Sequence, residues 1–171
     1  MKKILFVIIG VGLLSLPLTS FSQALLKIGH VNFEEIMSAL PETDTAKAIL
    51  DKESKEFRTA FEELTVAYNQ LYEEYQKGLS SYTPITKKTK EDELLDKQKR
   101  MSEFEQNATA TLQNRNAELV KPIIDKINKA IEKVATDNGF TYILDTSKGA
   151  VVFTSKDSQN ITTMVIKIVK P

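Results

Sequence analysis

The sequence predicts an α+β fold, mainly α, in which a long antiparallel helical hairpin stands as a coiled-coil arm on a small β-sheet base that oligomerises. Three observations carry this. Beyond residue 22, glycine occurs only at 29, 78, 139 and 149 and proline only at 41, 84, 122 and 171, so long stretches contain almost no helix breaker. Within the first of these stretches apolar residues return every seven positions. At both ends of the chain the pattern changes to short β-rich runs.

The N-terminus is read first. Lys2 and Lys3 precede an uncharged apolar stretch, 4–16, which Pro17 breaks, and small Ser20 and Ser22 flank Phe21. That order of basic head, short apolar core and small residues predicts a secretory signal peptide, 1–22, cleaved before Gln23. The run falls short of the roughly 20 apolar residues that a membrane-spanning helix needs, so no stable membrane insertion is expected. The chain has no cysteine, which excludes a lipid-modified cysteine anchor and any disulfide. Lys and Arg number 23, as do Asp and Glu, so losing Lys2 and Lys3 leaves a net charge of about −2, and no nucleic-acid partner is implied. Aromatic residues make up 8% of the chain and tryptophan is absent, which is sparse for a compact enzyme.

The first long helix is expected between Pro41 and Gly78. Leu50, Phe57, Leu64 and Leu71 lie seven apart, and Phe61, Tyr68, Tyr75 and Tyr82 interleave at the fourth position of each heptad. This alternation of threes and fours predicts a coiled-coil seam. At about 1.5 Å per residue the helix would reach roughly 55–60 Å, longer than a compact domain of this size uses. A turn across 77–86 then leads into a return helix. Its stripe is looser: Leu94, Met101, Ala108, Leu112, Leu119, Ile123, Ile127, Ile131 and Val134, interrupted by Gln98, Glu105 and Arg115. Pro122 inside this helix removes a hydrogen bond, is expected to force a bend, and marks the expected junction of arm and base. Residues 42–77 carry nine acids against five bases, and 84–136 carry eleven bases against nine acids, so antiparallel pairing sets an acidic helix against a basic one.

The ends supply the base. Residues 27–33 alternate as a short strand, and 140–145 and 150–154 are β-rich runs separated by the turn 146–149. The tail, 161–169, reads two ways: its β-branched content suits a strand, while Thr162 could cap a short helix with Ile161, Val165 and Ile168 on one face, the reading that the family resemblance given below favours. The resulting division is 23–40 with 136–171 as the base and 41–135 as the arm, its tip near 78–88. Three short strands bury little and leave open edges, and 151–153 is apolar on both sides, so the base is expected to associate with copies of itself. Candidate oligomerisation residues are Ile28, Val31, Phe33, Ile143, Leu144, Val151, Val152 and Phe153.

Little catalytic chemistry is available. His30 is the only histidine, which leaves no zinc site or histidine-dependent triad within one chain; symmetric copies in a trimer could bring three His30 side chains together, but His30 reads first as a strand residue filling an aromatic's place. The pairs Glu62-Glu63 and Glu73-Glu74 lie off the seam and point about 100° apart, as solvated helix faces do. Asp137-Asn138-Gly139 lacks the repeated acids of a calcium loop and reads as a helix C-terminus. Lys87, Lys88 and Lys90 make a basic tip, read as solvated. Val66, Tyr72, Leu79 and Phe104 are taken as apolar residues off the main seam and are the candidates for contact with a bound polypeptide. Catalytic, metal and cofactor residues are expected to be none.

Residues 122–131, then Val134-Ala135, Gly139-Phe140 and Ile143-Leu144-Asp145, resemble the C-terminal signature of the Skp/OmpH family. Residues 27–32 are similar to that family's first strand, and Asn160-Ile161-Thr162 to the start of its final helix, so the resemblance runs in order along the chain. It implies a homotrimer whose arms hang around a cavity. It also implies an ATP-independent holdase in the periplasm whose clients are unfolded outer-membrane proteins. One departure matters: better-known members are strongly basic, whereas this chain is nearly neutral. A structural coiled-coil scaffold or spacer of the envelope is the alternative reading.

Overall fold

Strand β1 (Ile28–Val31) opens the fold and stops at Asn32, whose side-chain Oδ1 accepts the Glu35 N–H at 3.0 Å. That cap starts helix α1 (Phe33–Ser38), so Phe33 is the first residue of a helix and not the end of the expected strand. The local Asn–backbone bond satisfies a helix N-terminal donor that a strand would leave to a neighbour. The computed structural model describes residues 26–170; the leader read at 1–22 lies outside them.

Helix α2 (Pro41–Gly78) has no side-chain cap, but Pro41 occupies its first turn, where the missing N–H costs nothing and φ is already helical. Glu42 and Asp44 in that turn favour the positive end of the helix dipole. Helix α3 (Pro84–Asp137) starts in the same way on Pro84, with Thr83 Oγ1 accepting the Thr86 N–H at 3.2 Å. At 38 and 54 residues the two helices are about 57 and 81 Å long. Helix α3 runs unbroken through Pro122, and the apolar core begins at the next residue, Ile123. It ends where Gly139, at φ +67°, takes the left-handed conformation and the Phe140 N–H returns to Ala135 O at 2.9 Å.

Strands β2 (Tyr142–Asp145) and β3 (Gln159–Asn160) flank β1 in the order β2-β1-β3, both parallel to it. The third strand is therefore not the expected 150–154 run, which forms no ladder despite its β-rich residues. The second edge of β1 goes to 159–160 because those residues lead directly into helix α4 (Thr162–Val169), whose apolar face must reach the core. The Ile161 N–H closes the connection by donating to His30 O at 2.9 Å. The buried face of α4 is Ile161, Thr162, Val165 and Val169; Ile168, expected on it, is exposed, and Thr162, expected as the cap, is the first helical residue, with its hydroxyl oxygen engaged by the Asn32 N–H.

Three starts and ends are tied together here. The Asn32 N–H donates to Thr162 Oγ1 at 2.9 Å, and the Phe33 N–H donates to Asp145 Oδ1 at 3.3 Å. The core around them joins Val31, Ile36 and Leu40 to Val165 and Val169 of α4, and climbs the long helices through Ala46, Ile123, Ile127, Ala130 and Val134. Packing thus extends above the limits of 23–40 and 136–171 read as the base.

Candidate functional site

Two surfaces remain after the core is built: the flanks of the hairpin and the outer face of the sheet. On the hairpin, a helix of a two-helix arm has a single partner, so only one side of each apolar stripe can be covered. Leu50, Phe57, Phe61, Leu64, Tyr68 and Leu71 are accordingly half-buried, and between residues 50 and 115 only Tyr75 and Leu94 are buried.

Phe104 sits in this seam, its ring 6.2 Å from Phe57 edge-on and 6.4 Å from Phe61 stacked. Its reading as an off-seam residue is corrected. The sequence carried the signal, since Phe104 lies three residues after Met101 and four before Ala108, a coiled-coil interval. Val66, Tyr72 and Leu79 are exposed by 54%, 46% and 37%. They do not share one face, because the six residues from Val66 to Tyr72 turn the helix by about 240°. Tyr72 stacks on Tyr68, with centroids 6.3 Å apart and planes at 12°. Two further exposed residues, Ile85 and Leu95, went unrecognised in the sequence, although both stand outside the α3 stripe. Leu95 lies five residues past Lys90, which bridges to Glu74, and so comes level with Asn69, between Val66 and Tyr72.

Charge aligns the two helices. Glu42–Lys126 at 2.6 Å, Glu53–Arg115 at 3.1 Å and Glu74–Lys90 at 3.1 Å each set an acid of α2 against a base of α3. The hydrogen bond from Lys126 holds the Glu42 carboxyl below the usual carboxylate range, and Glu74 keeps Lys90 protonated to higher pH. Arg115, which interrupts the apolar stripe, bonds Glu118 and Glu53 at once. The basic tip is internally paired: Lys87 with Glu91, Lys88 with Asp92, and Lys90 with Glu74 and Glu93. Where the arm joins the core, Pro41, Ile49, Leu119 and Pro122 line an apolar groove of about 440 Å³ rimmed by the Glu42–Lys126 pair.

The sheet has an inner and an outer face, and the alternation of β1 and β2 sorts the candidate oligomerisation residues. Val31 is 2% exposed and lies in the core, with Phe33 and Ile143 packed against it, so these three are committed within the chain. Ile28 and Leu144 point outward with Tyr142, at 46%, 43% and 58% exposure, and His30 lies between them. In the connection from β2 to β3, Val151 is half-buried whereas Val152 and Phe153 are 95% and 79% exposed. Tyr142 could have been added from its period-two spacing with Leu144.

Among the described residues no group of three or more His, Cys, Asp or Glu side chains is placed to hold a metal ion. No helix among them is long and apolar enough to cross a membrane. The arrangement offers apolar surface for binding on the arm and on the outer face of the sheet.

The fold matches a crystal structure from Caulobacter crescentus CB15, described as an OmpH-like outer membrane chaperone, with a TM-score of 0.70, 12% identity and 85% of each chain covered. In sequence, the chain is 27% identical over 149 residues to the chaperone protein Skp of Photorhabdus laumondii, covering 87% of this chain and 88% of that one. The family model for outer membrane protein (OmpH-like) matches residues 27–169, and a match over that length shows that the chain belongs to the OmpH-like family.

Proposed function

We propose that the protein is an ATP-independent holdase that binds unfolded outer-membrane proteins between its helical arms in the periplasm and prevents their aggregation. The observation that carries this reading is the separation of stability from apolar exposure. The core lies at one end, while the half of the arm nearest its tip holds Val66, Tyr72, Leu79, Ile85 and Leu95 in water. An unfolded polypeptide offers apolar segments to such a surface and gains by burying both sides. The kinship with a chaperone, Skp, supports the same reading. No phosphate-binding loop occurs in the sequence, in keeping with binding that needs no nucleotide.

The base acts as the assembly element, and three copies are the arrangement the family kinship favours. Among the described residues strands β2 and β3 each leave one edge unpaired, the outer sheet face exposes Ile28, Tyr142 and Leu144, and the 150–154 run has strand-forming residues without a ladder. Parallel sheets are rarely left uncovered on a face, and a second copy supplies both a cover and a complementary edge. Export follows from the leader at 1–22.

The test replaces 57–110 by a short Gly-containing turn. This keeps the core residues Ala46, Ile123, Ile127, Ala130 and Val134 and cuts the arm where Phe57 meets its partner helix. The shortened protein should remain an oligomer by light scattering and should no longer suppress aggregation of an unfolded outer-membrane barrel. Full protection by the shortened protein would favour a scaffold, whose arms only hold a distance. Adding ATP to the full-length protein should change nothing.

A further inference from the structure

We propose that a groove on the arm, floored by Leu64, Leu71 and Met101 and edged by Lys97, takes a segment of unfolded polypeptide in which an apolar side chain stands next to a carboxylate. The inference rests on the holdase reading and adds to it a named subsite and a preference among client segments.

The arm is densely charged, and two features of this stretch break the pattern. On α2, residues 64–72 carry no charge, between Glu63 and Glu73. On α3, Lys97 stands three residues after Leu94 and four before Met101, the same interval that places Phe104 in the seam. The two features coincide in space. Lys90 is level with Glu74 and Phe104 with Phe61, so Lys97, midway between 90 and 104, comes level with Ala67 and Tyr68. A half-buried lysine at a seam position therefore stands opposite the middle of an uncharged stretch.

Leu64, Leu71, Lys97 and Met101 line a groove of about 340 Å³, and the exposed charges Glu93, Asp96 and Arg100 complete it. The volume lies at the low end of the roughly 300–1,000 Å³ of small-ligand pockets, which suits one side chain with its flanking backbone and not a folded element. The three exposed charges are already paired, Glu93 with Lys90 at 3.4 Å and Asp96 with Arg100 at 2.8 Å. None of the described ion pairs or hydrogen bonds includes the Lys97 ammonium. The groove thus carries one uncompensated positive charge beside an apolar floor. A lysine stem lies well along such a floor while its head seeks an anion. A carboxylate arriving with a client gains a charge-assisted hydrogen bond there. The apolar residue beside it covers Leu64, Leu71 and Met101, and the flexible thioether of Met101 lets the floor fit side chains of different shape. An apolar segment without the acid leaves the ammonium unpaired, and a basic one is repelled.

Fluorescence anisotropy of labelled, Gly/Ser-rich peptides with the full mature protein tests this, each peptide carrying one Phe-Glu, Phe-Gln or Ala-Glu pair. The wild type should bind the Phe-Glu peptide about fivefold more tightly than the Phe-Gln peptide, the upper end for an exposed ion pair. It should also bind Phe-Glu more tightly than Ala-Glu. Lys97→Arg should keep the preference. Lys97→Met, which puts an apolar residue at a seam position and so keeps the arm folded, should bind both Phe peptides alike. Equal binding of the two Phe peptides by the wild type would overturn the proposal, as would a preference that survives in Lys97→Met. Peptide binding that fades as the protein concentration rises would assign the groove to a second copy and overturn it too. Suppression of barrel aggregation by the same wild type reports on the holdase reading separately. Protection without the preference leaves that reading standing and removes the subsite; the preference without protection does the reverse.

Discussion

Tyr82 lies across Gly78, so close that a Cβ at position 78 would occupy the place of its ring. The Tyr82 hydroxyl donates to Glu74 O at 3.2 Å, and its ring stands 6.3 Å from that of Tyr75. Tyr75 in turn donates to Glu91 at 2.7 Å, so a chain of contacts fastens the first helix of the hairpin to the second at the tip. A side chain at 78 would have to displace this ring, because its neighbour fills the space.

This reverses an ordinary expectation. Gly→Ala near the end of a helix normally stabilises by up to about 1 kcal/mol. Gly78→Ala should instead destabilise by about 1 kcal/mol, because the ring must leave. In a Tyr82→Ala background the same change should become neutral or stabilising. Urea unfolding of the four proteins of this double-mutant cycle measures the coupling, and strict additivity would show that the two residues do not share the site.

Stability and holding should separate along the arm. Phe104→Ala removes a ring packed between Phe57 and Phe61 and should cost about 2 kcal/mol, below the range for a fully buried Phe because the site is half-buried. Tyr72→Ser with Leu95→Ser touches exposed side chains and should change stability by less than about 0.5 kcal/mol at each site. The exposed pair, and not Phe104, should weaken suppression of barrel aggregation at a temperature where all variants are folded. Equal protection by the exposed-pair variant would move the client surface elsewhere.

Acid should act through Asp145. Burial pushes its carboxyl up, but the Ser147 N–H and hydroxyl and the Phe33 N–H outweigh this and hold it below the usual carboxylate value. A carboxyl with a depressed folded pKa contributes stability that is present above its unfolded value, near 3.8, and lost as pH falls through the folded value. Asp145→Asn should therefore melt below the wild type at neutral pH, and the gap should narrow in strong acid. A gap that is constant between about pH 7 and pH 3 would show that the charge of Asp145 contributes nothing.

Salt should matter little to holding. Nearly balanced charge over 42–136, eighteen acids against sixteen bases, with the tip lysines already paired, leaves the arm without a strong field to steer a client. Raising the ionic strength from about 0.01 to 0.15 M shortens the Debye length from about 30 to 8 Å. Client affinity, measured by fluorescence titration, should fall by no more than a few-fold over that range. A loss of most binding would make charge, and not apolar area, the main attraction.

The sequence by itself determined the hairpin. Seven-residue spacing, prolines at the first turns of both helices, Gly139 at the end of the second and the acid–base imbalance between them are local or periodic features, each readable where it stands. Phe104 belonged to the same grammar, and its interval from Met101 placed it in the seam. The base was different. Which β-rich run became the third strand depended on which segment could reach the free edge of β1 while delivering Ile161 and Val165 to the core, and 150–154 lost to 159–160 on that ground. Likewise Val31 and Ile28 are both apolar strand residues, and only the pleat and the helices stacked against one side made the first a core residue and left the second in water. A long helix closes its hydrogen bonds within itself, so sequence suffices to place it. A two-residue strand closes them with partners more than a hundred residues away, so the tertiary structure alone decides where it lies.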